Sequence, residues 1–185
     1  MVEATYYDRA GKELRHRYDL ASEYMQLGRV EEAVETLRGI IAEESGFAPA
    51  YNKLGVAEIA RKDRAAAERW FELALEADRQ YAPALANLGN LALERREYGA
   101  AQSYYRQALD ADAEYASAHH NLAVVLQHQG RYTESVRHLR LARRRGRRSW
   151  YYLTSRSRNA NRDRWYLIGV IVVVVLGFLF WISLW

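Results

Sequence analysis

The chain has 185 residues, 50% of them hydrophobic and 27% charged, and it contains no cysteine, which excludes disulfide bonds, thiolate catalysis and cysteine-ligated metal sites. The formal net charge of +4 hides an asymmetry, because residues 1–142 carry 18 Lys+Arg against 22 Asp+Glu. Residues 143–164 carry nine Arg and one Asp, and residues 165–185 carry no charged side chain. The sequence therefore predicts an acidic body, a basic segment and an apolar tail.

The body contains an internal period of 34 residues without gaps. Each unit has a leucine, a small residue directly after it, a second small residue twelve positions later and a bulky apolar residue four beyond that. In the first unit these residues are Leu20, Ala21, Ala33 and Leu37. The equivalent residues are Leu54, Gly55, Ala67 and Phe71; Leu88, Gly89, Ala101 and Tyr105; and Leu122, Ala123, Ser135 and Leu139.

The spacing within a unit predicts secondary structure. Apolar and small residues recur at intervals of three and four, which is typical of amphipathic helices. Each unit is interrupted near its middle, at Gly28, Lys62, Arg96 and Gly130. We therefore expect two helices of about fourteen residues per unit, joined by a short turn. Because one such pair cannot bury its apolar face alone, the units are expected to stack and share a core.

This pattern resembles the tetratricopeptide repeat family over residues 14–147. The resemblance implies an all-α fold, a right-handed superhelix (α-solenoid) of four helix pairs. The units are predicted at residues 14–47, 48–81, 82–115 and 116–147, within a domain of residues 1–147. The sequence departs from the family at the unit ends, where proline is frequent but this chain has Ser45, Arg79, Ala113 and Arg147.

The resemblance also implies a concave groove that holds a protein or peptide partner and is lined mainly by the first helix of each unit. Asparagine suits such a groove, because its amide offers a donor and an acceptor to an extended peptide backbone; the alternative is that these side chains are merely solvated. Only Lys53, Asn87 and Asn121 come near the Lys/Asn/Arg set with which one subtype of the family grips chaperone carboxylates, so we do not expect that activity. The predicted groove residues are Tyr18, Ser22, Asn52, Lys53, Asn87, Asn90, His120, Asn121 and His128.

No catalytic constellation is present in the sequence. The five histidines give no i, i+4 pair with a third ligand, and no HExxH, G-x-S-x-G, P-loop or G-x-G-x-x-G motif occurs. We therefore expect no enzymatic activity, no cofactor and no metal. Six aromatic residues at packing positions of the second helices are expected in the core rather than in a binding site: Trp70, Phe71, Tyr98, Tyr104, Tyr105 and Tyr132.

The apolar tail, residues 165–185, predicts a transmembrane helix. Its last twenty residues would span about 30 Å as a helix, the thickness of a bilayer core. Trp165 and Tyr166 lie at one end and Trp181 and Trp185 at the other, as in aromatic belts. Because the arginines precede the span, the positive-inside rule predicts a single-pass, tail-anchored protein with a cytoplasmic N-terminal domain. The excess of Arg over Lys, 24 to 3, and the abundance of Ala indicate a GC-rich bacterial genome, so we expect the bacterial inner membrane.

The basic juxtamembrane linker, residues 148–164, has three interpretations. The favoured one is contact with anionic lipid, and the others are docking to an acidic partner and, as the least favoured, binding to RNA or the ribosome. The residues expected at the membrane surface are Arg147, Arg148, Trp150, Arg156, Arg158, Arg162, Arg164 and Trp165.

The predicted function is a membrane-tethered scaffold that binds a protein partner in its groove. The alternative is an accessory or assembly subunit of a larger membrane complex. In that case the transmembrane helix is itself an interface, with Gly169 and Gly177 permitting close helix contact.

Overall fold

The computed structural model describes residues 11–146. Contacts group the chain up to Arg143 into one compact unit, and the helical architecture is that of this unit. The predicted linker of residues 148–164, the predicted transmembrane helix of residues 165–185 and all eight predicted membrane-surface residues lie outside the described residues. Between residues 11 and 146, none of the helices has the length and apolar character needed to cross a bilayer.

The described chain is all-helical, as predicted, and residues 11–146 contain no strand. Each helix with both ends defined has 13 to 15 residues, in agreement with the expected fourteen. Consecutive helices pair as α1/α2, α3/α4, α5/α6 and α7/α8. The helices are α1 Lys12–Gln26, α2 Val30–Glu43, α3 Ala48–Ala60, α4 Arg64–Ala77, α5 Ala82–Glu94, α6 Tyr98–Ala111, α7 Ala116–His128 and α8 over residues 132–146.

The turn between the two helices of a pair has the same backbone conformation in all four pairs. Gly28, Lys62, Arg96 and Gly130 have φ of 74°, 67°, 60° and 75°, so the four predicted breaks are confirmed. A left-handed residue here lets the next N–H reach the carbonyl five positions back, which closes the end of the first helix. These bonds join Arg29 to Tyr24, Asp63 to Glu58, Glu97 to Ala92 and Arg131 to Leu126, at 2.8–2.9 Å.

Small residues permit close approach within the middle pairs. A Cβ added to Gly55 would lie 2.4 Å from the ring of Phe71, and one added to Gly89 would lie 2.6 Å from the ring of Tyr105. Both aromatic rings are fully buried. The small residues of the repeat thus mark the points of closest approach within these two pairs.

The core continues from one pair to the next, as stacking requires. Phe47 and Tyr81, directly before α3 and α5, are 2% and 1% exposed. Phe47 packs edge-on against Tyr18 of α1, with ring centroids 5.5 Å apart. At the surface, Arg95 at the end of α5 donates to both carboxylate oxygens of Glu68 in α4, at 2.9 and 2.5 Å.

One core prediction is wrong. Tyr132 is 68% exposed, although Phe71 and Tyr105 are buried and Trp70, Tyr98 and Tyr104 are partly buried as expected. The equivalent residue one unit earlier, Tyr98, stacks on His128 at the end of the following unit's first helix. Tyr132 belongs to the last described unit, so no such helix follows it among residues 11–146.

Candidate functional site

Six of the predicted groove residues form hydrogen-bonded links between neighbouring first helices. Ser22 of α1 contacts Lys53 of α3, Asn52 of α3 contacts Asn87 of α5, and Asn90 of α5 contacts Asn121 of α7. The links follow from the repeat, because residues 34 positions apart occupy equivalent places on helices that stack side by side. The structure thus brings most of the predicted set onto one continuous surface.

The centre of this surface is the asparagine row, defined as Asn52, Asn87, Asn90 and Asn121. Asn87 Nδ2 donates to Asn52 Oδ1 at 2.9 Å, and Asn121 Nδ2 donates to Asn90 Oδ1 at 2.7 Å. Within α5, Asn90 Nδ2 lies 3.5 Å from Asn87 Oδ1. The three donating amides, Asn87, Asn90 and Asn121, therefore point in one direction along the row.

The row has hydrogen-bonding capacity left over. An amide nitrogen carries two hydrogens, and the bonds within the row use one hydrogen of each donating nitrogen. Asn87, Asn90 and Asn121 are half-buried rather than buried, whereas Asn52 is 8% exposed. The arrangement can donate hydrogen bonds to a row of carbonyl oxygens.

Tyr105 contacts the asparagine row from the core of the domain. Its ring is fully buried between α6 and α5, and its hydroxyl donates to Asn90 Oδ1 at 2.8 Å. Burial raises the pKa of this phenol above its usual value of 10.0, so the hydroxyl keeps its hydrogen. Asn90 Oδ1 accepts from both Tyr105 and Asn121, which fixes the orientation of this amide.

The N-terminal end of the surface carries a cation. Lys53 Nζ donates to Ser22 Oγ at 2.8 Å and lies 4.8 Å from the centroid of the Tyr18 ring. Tyr18 itself is only 4% exposed and Ser22 Oγ donates to its carbonyl at 2.9 Å. Lys53 is therefore the group that reaches the surface here, and the Tyr18 ring supports it from the core.

The C-terminal end of the surface opens into a cleft between α5, α7 and α8, which we name the α7–α8 cleft. It has a volume of about 700 Å³. Asn87, Asn90 and Asn121 line it from α5 and α7, together with His120 of α7 and with Leu139, Ala142 and Arg143 of α8. His120 thus joins the asparagine row in one concave space.

His128 is separated from the other predicted groove residues. Its ring stacks on Tyr98, with centroids 4.8 Å apart, and it lines a smaller cleft of about 380 Å³ with Val124 and Glu94. The interval of eight residues between His120 and His128 is a little over two helical turns, which carries His128 to the far end of α7.

Sequence reasoning did not find a histidine pair between α7 and α8. His119 is 5% exposed, and its Nδ1 lies 2.9 Å from Nδ1 of His138. The two residues are 19 positions apart, and no ligand motif has that spacing. In the stretch from residue 11 to 146, no group of three His, Cys, Asp or Glu side chains is placed to hold a metal ion.

Comparisons with known proteins agree on the fold. The sequence profile described as tetratricopeptide repeat matches residues 18–82 and 87–149. A crystal structure of MamA is 21% identical with a TM-score of 0.59, covering 78% of this chain and 85% of that chain. The structure of Pseudomonas aeruginosa pilF is 23% identical with a TM-score of 0.64, covering 72% of this chain and 61% of that chain.

A third similar structure is the Cut9–Hcn1 hetero-tetramer of APC/C. It is 26% identical with a TM-score of 0.58, covering 68% of this chain and 26% of that chain. No curated protein sequence matches the chain. The likeness to these structures concerns the stacking of helix pairs.

Proposed function

This chain belongs to the tetratricopeptide repeat family, and from that premise we propose that it is a membrane-tethered scaffold. Its groove binds a protein partner and holds that partner at the cytoplasmic face of the membrane. Tethering raises the effective concentration of one partner near another without adding a contact. The proposal assigns no reaction to the chain.

The asparagine row is the observation that carries the binding role. Its three donating amides are linked in one direction, one of them is fixed by the buried Tyr105, and each of the three nitrogens keeps a second hydrogen. Donors held in place before binding lose little side-chain entropy when a partner arrives. An extended segment of a partner protein presents carbonyl oxygens in a regular row, which fits these donors.

Membrane attachment rests on the sequence alone. Residues 166–185 include fourteen Leu, Ile, Val or Phe side chains and no charged one. At roughly −0.3 to −0.6 kcal/mol for each such side chain, insertion as a helix is favourable by several kcal/mol. The arginines of residues 143–164 favour retention of the repeats on the cytoplasmic side and attraction to anionic lipid.

A pull-down from native membranes in mild detergent tests the proposal. The full chain is compared with a chain that ends at Arg148, and each is also tested with Asn87→Ala. We expect the shorter chain to retain the main partner and Asn87→Ala to weaken retention severalfold. Gln107→Ala, which removes an exposed amide from α6, is the matched control and should change nothing.

The same samples test the membrane role and the alternative. Alkaline extraction should leave the full chain in the membrane pellet and release the shorter chain. Partners retained only by the full chain would contradict groove binding and would favour an accessory subunit whose transmembrane helix is the interface.

A further inference from the structure

We infer that His119 and His138 form a pH-sensitive latch between α7 and α8, closed while the two rings are neutral and released when both take up a proton. Release loosens α8 from α7 and disturbs the part of the groove that α7 supplies, so that partner binding weakens in mild acid. The step from the latch to the partner rests on the proposed function, whereas the latch itself does not.

The direct contact between the two rings is the first observation. Nδ1 of His119 lies 2.9 Å from Nδ1 of His138, and His119 is buried. At that distance one hydrogen lies between the two nitrogens. Nε2 of His119 faces the carbonyl of Ala113 at 3.3 Å, which assigns its hydrogen to Nε2 and makes Nδ1 the acceptor. In the neutral form the contact is therefore a hydrogen bond that joins α7 to α8.

Protonation of both rings is incompatible with this contact. An imidazolium carries hydrogens on both ring nitrogens, so two imidazolium rings would point hydrogens at each other across 2.9 Å. The two positive charges also repel each other, and burial reduces the screening by water. The rings must therefore separate, and His138 is the one that can turn towards solvent, because it is half-buried while His119 is buried.

The surroundings of the pair determine how readily it takes up protons. Burial is the largest effect and lowers the pKa of His138 below its usual 6.5; Arg137 of α8 and Arg106 of α6 act in the same direction, and Glu134 of α8 opposes them. Asp110 of α6 lines the same space and favours the charged form. Because the closed latch binds protons less readily than the released one, acid favours release.

The equivalent positions of the preceding units provide a second observation. In α3 and α4 these positions hold Tyr51 and Trp70, whose ring centroids lie 6.2 Å apart. In α5 and α6 they hold Leu85 and Tyr104, and Tyr104 packs against the buried cluster that contains Leu85. None of these four side chains takes up a proton in mild acid. The stacking of helix pairs therefore does not require histidine here, and among these three pairs the contact in α7 and α8 is the one that acid can break.

The position of the latch on α7 connects it to the groove. His119 lies two residues before Asn121, which donates to Asn90 of α5 at 2.7 Å. Successive residues of a helix are about 100° apart, so His119 and Asn121 lie on opposite sides of α7, the first towards α8 and the second towards α5. Loosening on the α8 side removes packing that holds α7 in register with α5. The asparagine row then loses order at its C-terminal end.

Hydrogen exchange of the full chain in non-ionic detergent tests the latch without a ligand. Protection of the backbone amides is measured at pH 7.5 and pH 5.5, with labelling times scaled for the pH dependence of intrinsic exchange. We expect the amides of α8 to lose about fivefold more protection than those of α4, and the amides of α7 to follow in part. Equal losses in α8 and α4 would overturn the inference.

Two variants separate titration from packing. The double substitution His119→Leu/His138→Tyr copies the pair of the preceding unit, so it removes titration and keeps an established packing; its α8 should show no extra loss in acid. His138→Gln keeps a side chain that can donate to Nδ1 of His119 but does not ionise, and it serves if the double variant does not fold. His16→Gln, at an exposed position of α1, is the control and should behave like the wild type. An α8 that stays acid-sensitive in both latch variants would show that other groups govern it.

Partner retention separates the latch from the proposed function. The pull-down is repeated at pH 7.5 and pH 5.5 with the wild-type chain and the double variant, and the protein retained at pH 7.5 is the probe. We expect the wild-type chain to retain severalfold less of it at pH 5.5, and the double variant to retain equal amounts. Equal retention by the wild-type chain, with α8 loosened in hydrogen exchange, would overturn the link between latch and groove. If neither chain retains a protein at pH 7.5, groove binding fails, and hydrogen exchange alone decides on the latch.

Discussion

Gly55 of α3 lies so close to Phe71 of α4 that a Cβ on the glycine would be 2.4 Å from Cε1 of the ring. The same relationship joins Gly89 and Tyr105 one unit later, where the distance is 2.6 Å. A fully buried aromatic ring and a close helix contact are compatible here because the opposing residue has no side chain. The glycine and the ring are therefore one packing unit, repeated at an interval of 34 residues.

Gly55→Ala is expected to destabilise the fold by about 1–3 kcal/mol, because the Phe71 ring is enclosed and has no free space to move into. Urea unfolding followed by circular dichroism measures the change. Gly99→Ala in the first turn of α6 is the control, since a Cβ there meets nothing within 4 Å. The control should be neutral or stabilising by up to about 1 kcal/mol. Equal effects of the two substitutions would contradict the packing argument.

The turns between paired helices give a second prediction. Lys62 adopts φ of 67°, a conformation that costs a residue with a side chain about 1 kcal/mol relative to glycine. We expect Lys62→Gly to be neutral or stabilising by up to about 1 kcal/mol, and Gly28→Ala at the equivalent turn to be destabilising by about 1–2 kcal/mol. Thermal unfolding of the two variants provides the measurement. A clear loss of stability in Lys62→Gly would show that the lysine side chain contributes more than its backbone strain costs.

The helix pairs could be predicted because each pattern of residues occurs in all four units of the sequence. A single Lys62 does not indicate a turn, but its alignment with Gly28 and Gly130 does, and the structure has positive φ at all of them. Repetition also predicted that Asn87 and Asn121 occupy equivalent places on adjacent helices. The all-helical fold follows from such local patterns, which a single sequence contains.

The details of the site could not be predicted in the same way. The direction of the hydrogen bonds in the asparagine row depends on Tyr105, whose hydroxyl fixes Asn90 from the neighbouring helix. The exposure of Tyr132 reflects its place in the last unit of residues 11–146, where no later helix of that stretch covers the ring. Each of these is a tertiary relationship without a sequence period.

Tyr105→Phe tests the support of the asparagine row. Removal of the hydroxyl leaves Asn90 Oδ1 with Asn121 as its remaining partner, and we expect a loss of about 0.5–1.5 kcal/mol in the free energy of unfolding. Partner binding should fall as well, because the amide is no longer fixed. Urea unfolding together with the pull-down measures both quantities. Unchanged partner binding at reduced stability would show that binding does not depend on the hydrogen bond from Tyr105 to Asn90.

The raised pKa of Tyr105 predicts that the folded chain loses stability at high pH. Burial raises the pKa of Tyr105 in the folded chain, whereas the unfolded chain ionises near the usual 10.0. The stabilisation is therefore fully present below about pH 10 and is lost as the pH rises above it. The wild-type chain should lose stability between about pH 9.5 and 11 more steeply than Tyr105→Phe. Urea midpoints over that range supply the comparison, and parallel curves would contradict it.

The histidine pair gives a prediction at mildly acidic pH. His119 Nε2 faces the carbonyl of Ala113 at 3.3 Å, so Nε2 carries the hydrogen, and Nδ1 accepts from Nδ1–H of His138. Burial, followed by the charge of Arg137, lowers the pKa of His138 below its usual 6.5, Arg106 acts in the same direction, and Glu134 opposes them. Asp110 also lines the adjoining cleft. The pair thus keeps its bond most readily while both rings are neutral.

The direction of the pH dependence of stability follows from the lowered pKa of His138. The unfolded chain takes up a proton at His138 near pH 6.5, and the folded chain takes it up only at lower pH, so the stabilisation is present above about pH 6.5 and is lost below it. Between about pH 7.5 and 5.5 the thermal midpoint of the wild-type chain should fall, and that of His138→Gln should fall by about 2 °C less. His16→Gln, an exposed position on α1, should behave like the wild type. A His138→Gln chain with the full wild-type fall would show that this pair does not govern stability in acid.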